Sequence, residues 1–115
     1  MNTKEKILIA DDSEINRAML SDILSPDYEV LEASNGEEVV ECLKQHSSEI
    51  NLVILDIVMP KADGFEVLAV MNRNGWINSI PVIIVSSENA PSYIEHAYHL
   101  GASEYINRPF YKVAI

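Results

Sequence analysis

The sequence has few basic residues and almost no cysteine. Among its 115 residues, 8 are Lys or Arg and 18 are Asp or Glu, so the formal net charge is −10. Such a surface repels nucleic acid and anionic lipid, and neither is an expected partner of this domain. The only cysteine, Cys42, cannot form an internal disulfide and provides no cysteine-rich zinc site, which favours a reducing, cytoplasmic location.

Long hydrophobic runs are also missing. No apolar segment approaches the roughly 20 residues that cross a bilayer, and the polar residues 1–6 do not resemble a signal peptide. We therefore expect a soluble protein with no membrane partner. With 48% hydrophobic residues, a chain of this length can bury one core, so we expect one domain over residues 1–115.

What the sequence does contain is an alternation of short apolar runs and longer amphipathic stretches. The apolar runs predict strands at residues 7–10, 52–55 and 81–85, and two half-polar segments predict further strands at 28–33 and 104–106. Helical patterns lie between them. This alternation indicates an α/β fold with a parallel sheet between helical layers, because each crossover helix must cover a sheet face.

The helical stretches are recognised by apolar spacing and by residues that begin or end helices. Ser34 and Glu37 predict a capping box at the start of the second helix, and Gly101 predicts the end of the fourth. The first helix, at residues 13–24, has a predicted buried stripe of four apolar residues, Ile15, Met19, Leu20 and Ile23.

Three carboxylates directly follow predicted strands. Asp11 and Asp12 follow the first, and Asp56 follows the third. They share one edge of the sheet if these strands are neighbours, and functional groups of open sheets collect at that edge. A single Asp there is also explained as a helix cap, but clustered carboxylates repel one another unless they are protonated or bridged by a cation. Such a donor set suits Mg²⁺, and Mg²⁺ beside a nucleophilic carboxylate indicates phosphoryl chemistry.

A hydroxyl and a cation are predicted at the same edge. Ser86 and Ser87 follow the fourth strand, and Arg108 follows the fifth. Taken alone, Ser86 is equally well explained as the cap of the fourth helix, and Arg108 as a solvated surface charge. Together with the three acids they form a set of groups able to surround a phosphoryl group.

These segments resemble the receiver domain of bacterial two-component response regulators over nearly the whole chain. The most specific segment, LVILDIVMPKADGFEVL, carries Asp56, Met59, Pro60, Asp63 and Gly64 at the spacing of that family. The other matching segments are ILIADDSEINRAML, IPVIIVSS and GASEYINRPF. The resemblance implies a flavodoxin-like receiver fold, a three-layer α/β/α sandwich whose five-stranded parallel sheet has the order 2-1-3-4-5.

The resemblance also implies a reaction and its metal. Asp56 would accept a phosphoryl group from a phosphohistidine of a histidine kinase or phosphotransfer protein. Asp11, Asp12, Asp56 and the backbone carbonyl of Val58 would hold Mg²⁺. The domain would catalyse its own phosphorylation and slow dephosphorylation without being a dedicated enzyme.

Further roles implied by the resemblance concern switching. Ser86 would bond a phosphoryl oxygen through its hydroxyl and Ser87 through its amide, while Tyr105 would be the aromatic switch. Val58 and Glu88 occupy positions that tune the loss of the phosphoryl group. The face around the fourth helix and fifth strand would then control an output domain in cis or a partner protein.

Two departures from the family pattern affect these expectations. Arg108 stands where the family normally has lysine, and a planar guanidinium does not replace a compact ammonium conservatively, so phosphorylation would be slower or switching weaker. Only residues 110–115 follow Pro109, where the family continues with a full fifth helix. We expect that helix to be largely missing, a homodimer through this face to be weak, and the chain to be the N-terminal part of a longer protein.

Two alternative functions stay open. The Arg108 exchange favours a pseudo-receiver, which keeps the fold but signals through protein contacts without phosphorylation. A Mg²⁺-dependent phosphatase acting on a small molecule is the other, although Val58 stands where a general acid for the leaving group would be needed.

Overall fold

The computed structural model describes residues 4–88 and 90–107. In this part of the chain, strands and helices alternate. The strands are β1 (Lys6–Ala10), β2 (Glu29–Ala33), β3 (Ile50–Leu55), β4 (Val82–Ser86) and β5 (Glu104–Asn107). The helices are α1 (Glu14–Leu24), α2 (Gly36–His46), α3 (Gly64–Arg73) and α4 (Pro91–His99), with a 3-10 turn at Trp76–Asn78.

The five strands form one parallel sheet in the order β2-β1-β3-β4-β5, which confirms the predicted topology. Ala10 at the end of β1 is in register with Ala33 of β2 and with Leu55 of β3. The amide of Asp56 continues this pairing by donating to the carbonyl of Ala10 at 2.9 Å. The carboxyl ends of β1 and β3 therefore lie side by side.

Each face of the sheet has its own hydrophobic core. Leu8 and Ala10 of β1 point into the core beneath α2, α3 and α4, whereas Ile7 and Ile9 point into the core beneath α1. This alternation follows from the two-residue period of a strand. Strands that are buried on both faces read as continuous apolar runs, which is why they could be located in the sequence.

The buried face of α1 differs from the prediction. Leu20 and Leu24 are buried, but Ile15 is 81% exposed and Met19 is 43% exposed, so the predicted stripe was wrong for these two residues. At about 100° per residue, Ile15 and Leu20 are separated by roughly 140° around the helix and cannot share a narrow stripe. Packing on the sheet selected Leu20, and Ile23 lies partly buried beside it.

The start of α2 is also shifted from the prediction, by one residue. Asn35 is the N-cap, and its Oδ1 accepts a hydrogen bond from the amide of Glu38 at 2.9 Å. Glu38 Oε1 in turn accepts hydrogen bonds from the Ser34 amide at 2.7 Å and the Ser34 hydroxyl at 2.9 Å. Asn35 and Glu38 thus take the roles predicted for Ser34 and Glu37, and Ser34 is instead a hydrogen-bond donor to Glu38. At the end of α4, Gly101 has a φ of 114° and stops the helix as predicted.

Candidate functional site

Three carboxylates meet at the carboxyl edge of the sheet. One carboxylate oxygen from each of Asp11, Asp12 and Asp56 lies within 4.8 Å of the other two. Asp11 is 1% exposed and Asp56 is 6% exposed, whereas Asp12 is exposed to solvent. The neighbouring positions of β1 and β3 bring together residues that are distant in the sequence.

Asp11 is held by hydrogen bonds from three directions. Its amide donates to the carbonyl of Ala33 at 3.1 Å, and its Oδ1 accepts from the amide of Ser13 at 2.8 Å. Its own carbonyl accepts from Arg17 Nη1 at 2.6 Å. Asp11 is therefore held in place, whereas the position of the exposed Asp12 carboxylate depends on the backbone that carries it.

The donor set of this cluster fits Mg²⁺. Carboxylate oxygens are the hard ligands that Mg²⁺ prefers, and the exposed side of the cluster leaves room for the water molecules that this ion usually retains. Two of the three acids are buried, so a bound cation would offset a repulsion that solvent screens poorly. Asp11, Asp12 and Asp56 are the side chains that would hold the ion.

The loop after β3 is pressed against Asp56. The Gly64 amide donates to the carbonyl of Ile57 at 2.8 Å, and a Cβ on Gly64 would lie 2.5 Å from the carbonyl oxygen of Asp56. Only glycine permits this approach, which explains the glycine in the sequence motif. Val58 lies in this loop and is 58% exposed.

Ser86 is fully buried at the end of β4, the strand next to β3. Its Oγ accepts a hydrogen bond from the amide of Glu88 at 3.1 Å. Ser87 follows Ser86 and is exposed at the same edge. A hydroxyl at this position already takes part in a hydrogen bond with the loop between β4 and α4.

Tyr105 on β5 is connected to the same loop. Its hydroxyl donates to the carbonyl of Glu88 at 2.5 Å. Burial raises the pKa of the Tyr105 phenol because it disfavours the charged form, and a hydrogen bond with the side chain of Ser86 acts in the opposite direction. The phenol keeps its proton at neutral pH and remains a donor. Arg108 lies outside the described residues.

Sequence reasoning missed Arg17. Besides its bond to Asp11, its Nε donates to Glu32 Oε1 at 3.1 Å, and its side chain is only 15% exposed. The one signal in the sequence is an arginine in the second turn of a helix that begins just after an acidic pair. Its partner Glu32 is on β2, which only the folded topology places nearby.

No helix in the described ranges, 4–88 and 90–107, is long and apolar enough to cross a membrane.

Comparison with known proteins gives a consistent result. The family model described as the response regulator receiver domain matches residues 7–115. A probable cyclic di-GMP phosphodiesterase of Vibrio cholerae is 38% identical over 103 residues, which are 90% of this chain and 23% of that protein. A two-component response regulator of Oryza sativa subsp. indica is 32% identical over 104 residues, 90% of this chain and 70% of that protein. The chain thus spans about a quarter of the length of the bacterial relative.

Among solved structures, the CheX-CheY-BeF3-Mg²⁺ complex of Borrelia burgdorferi contains a similar chain. The two chains superpose with a TM-score of 0.88 at 29% identity, covering 96% of this chain and 82% of the other. This similarity, together with the strand order, confirms the expected flavodoxin-like receiver fold, which the chain shares with CheY.

Proposed function

Because the chain belongs to the response regulator receiver domain family, we propose that it is a phosphoacceptor switch in which Asp56 takes up a phosphoryl group. The observation that carries the proposal is the cluster of Asp11, Asp12 and Asp56, whose carboxylate oxygens lie within 4.8 Å of one another. Receiver domains are signalling modules and not dedicated enzymes. In this proposal, phosphorylation of Asp56 therefore transmits a signal and does not turn over a substrate.

In the proposed reaction, a carboxylate oxygen of Asp56 attacks the phosphorus of a phosphohistidine. The new O–P bond forms as the P–N bond breaks, and the imidazole leaves with the electron pair and takes up a proton. Mg²⁺, when bound, neutralises the charge of the phosphoryl oxygens. Asp11, Asp12 and Asp56 would hold that ion, and in this proposal the carbonyl of Val58 would complete the protein ligands.

Three further residues complete the proposed phosphoryl site. Ser86 donates its hydroxyl to one phosphoryl oxygen, and the amide of Ser87 donates to another. Arg108 supplies a positive charge. Support comes from the position of Ser86, which is buried at the end of the strand adjacent to β3. The alignment of donors around a transferred phosphoryl group is the main contribution a protein makes to this reaction.

The switch in this proposal is the loop between β4 and α4. The phosphoryl group adds about −2 charge with strong acceptors, so it favours the state in which Ser86 turns its hydroxyl towards it. Glu88 is bonded both to Ser86 Oγ and to Tyr105, so a movement of Ser86 reaches the α4 and β5 face. The side chains at Val58 and Glu88 would set how quickly water removes the phosphoryl group.

The proposed partner is a histidine kinase or a phosphotransfer protein. Ile15 and Val58 support this proposal, because both are exposed apolar residues in segments that adjoin the acid cluster. The output is proposed to be a domain in cis of a longer protein, or a separate partner, with at most a weak homodimer. The acidic charge of −10 supports a role without nucleic acid or membrane contact, and the single cysteine supports a cytoplasmic location.

The test is incubation of the protein with acetyl phosphate and Mg²⁺, followed by intact-mass measurement. We expect one added phosphoryl group, none with a chelator present, and none in Asp56→Asn. The matched control is Asp22→Asn, which removes an exposed acid on α1 and should leave uptake unchanged. Equal uptake by Asp56→Asn overturns the proposal.

No uptake by the wild type also overturns it. In that case, partner binding that is unchanged by the phosphodonor and by Asp56→Asn supports the pseudo-receiver. Turnover of generic phosphate esters would instead support the phosphatase.

A further inference from the structure

We infer that Arg17 is a positioning residue that orients the acidic pair of the metal site through the main chain of Asp11. This inference rests on the proposed function, since it concerns how Asp11 and Asp12 are presented to a divalent cation. Arg17 does not itself offer a ligand, because a guanidinium has only donors.

The guanidinium of Arg17 connects α1, β2 and the residue that follows β1 at the carboxyl edge of the sheet. Arg17 belongs to α1, its Nη1 donates to the Asp11 carbonyl at 2.6 Å, and its Nε donates to Glu32 Oε1 at 3.1 Å. The side chain is 15% exposed, so solvent competes little for these bonds. The planar fork of arginine can serve both acceptors at once, which the single nitrogen of lysine does less well.

The bond matters because of the peptide group it holds. Asp11 is 1% exposed and lies just beyond β1, and a buried carbonyl needs a hydrogen-bond partner. The peptide between Asp11 and Asp12 is planar, so fixing the Asp11 carbonyl also fixes the position of the Asp12 Cα atom. Asp12 is exposed, so the position of its Cα has a large share in placing its carboxylate.

Positioning and simple electrostatics predict opposite signs for the loss of Arg17. A permanent positive charge near three acids opposes the binding of another cation, so its removal should tighten metal binding if charge were its only contribution. If Arg17 holds the acids in place, its removal instead frees one backbone segment. Metal binding then has to order that segment, and the lost conformational entropy weakens the affinity. That ordering corresponds to a loss of about tenfold in affinity.

The experiment measures Mn²⁺ binding by the electron paramagnetic resonance signal of the free ion, for wild type, Arg17→Met and Arg17→Lys. We expect about tenfold weaker binding by Arg17→Met and an intermediate affinity for Arg17→Lys, which keeps the charge but not the fork. Lys6→Met is the matched control. It also removes one positive charge paired with a carboxylate, Lys6 Nζ to Glu49 Oε1 at 3.1 Å, but at the opposite edge of the sheet. Its affinity should equal that of the wild type.

Circular dichroism and urea unfolding establish that each variant is folded. A folded Arg17→Met that binds Mn²⁺ as tightly as the wild type, or more tightly, overturns the inference. If Arg17→Met does not fold, an Arg17→Lys affinity equal to the wild type overturns it. If the wild type binds Mn²⁺ and takes up the phosphoryl group, and the Arg17 variants bind Mn²⁺ equally well, the inference is overturned but the proposed function is not. A wild type that binds no Mn²⁺ overturns the metal site of the proposed function and the inference with it.

Discussion

The hydroxyl of Tyr105 donates a 2.5 Å hydrogen bond to the main-chain carbonyl of Glu88. The amide of the same Glu88 donates to Ser86 Oγ at 3.1 Å. One residue of the loop between β4 and α4 is therefore held from β5 on its carbonyl side and from β4 on its amide side. This arrangement connects the buried end of β4 with the edge strand of the sheet.

Tyr105→Phe should destabilise the domain by about 1 kcal/mol, because it removes the donor and leaves the Glu88 carbonyl without that partner. Urea unfolding at neutral pH measures the change. Tyr98→Phe, at an exposed position on α4, is the control and should change the free energy of unfolding by less than about 0.5 kcal/mol. Equal effects of the two substitutions would show that the Tyr105 bond contributes nothing specific.

The two faces of α1 should respond differently to truncation. Leu20 is 1% exposed, so Leu20→Ala should lower the free energy of unfolding by about 2–5 kcal/mol. Ile15 is 81% exposed, and Ile15→Ala should stay within about 0.5 kcal/mol of the wild type. Thermal or urea unfolding of both variants decides this. A large loss from Ile15→Ala would mean that α1 packs through the stripe indicated by its sequence and not through the face described above.

Gly36→Ala should destabilise the domain by about 1–3 kcal/mol, since a Cβ at the start of α2 would overlap the carbonyl of Ala62 in the loop between β3 and α3. Helix propensity alone predicts the opposite sign, because alanine favours a helix over glycine. Glu37→Ala in the same turn is exposed and should be nearly neutral, within about 0.5 kcal/mol. A Gly36→Ala protein as stable as the wild type would contradict the close packing of these two segments.

The carboxyl group of Glu38 should titrate below its ordinary value of 4.5, because hydrogen bonds from the amide and hydroxyl of Ser34 lower its pKa. A lowered pKa in the folded state contributes stability that is present above pH 4.5 and is lost as the pH falls through the folded value. Carboxyl NMR titration measures this pKa directly. Ser34→Ala, which keeps only the amide donor, should move the titration part of the way back. A midpoint at or above 4.5 in the wild type would contradict the reported hydrogen bonds.

Much of the fold could be predicted because its signals are local. The runs at residues 7–10 and 52–55 locate β1 (Lys6–Ala10) and β3 (Ile50–Leu55) to within two residues, since strands buried on both faces show unbroken apolar sequence. The exposure of Ile15 could not be predicted in this way. Apolar residues on α1 satisfy more than one stripe, and only contact with the sheet selects between them.

The acids of the candidate site could also be predicted to meet, because strand ends in a parallel sheet share an edge. The hydrogen bonds that hold them could not. Arg17 of α1 bonds to Glu32 of β2, a strand that precedes none of the three acids, and the Tyr105 bond goes to a main-chain carbonyl that any residue type would offer. Such contacts depend on side-chain direction across the folded edge, which residue types and spacing do not encode.

The pairing of β1 with β3 has a consequence for how the domain matures. Asp11 and Asp56 meet only after a long crossover has closed, so a fragment or a nascent chain that ends before β3 contains no acid cluster. Contacts between residues far apart in the sequence form late and slowly. Closing this crossover also brings like charges together, which a divalent cation would ease. A copy in which β1 and β3 are not yet paired therefore lacks the site for the proposed signal.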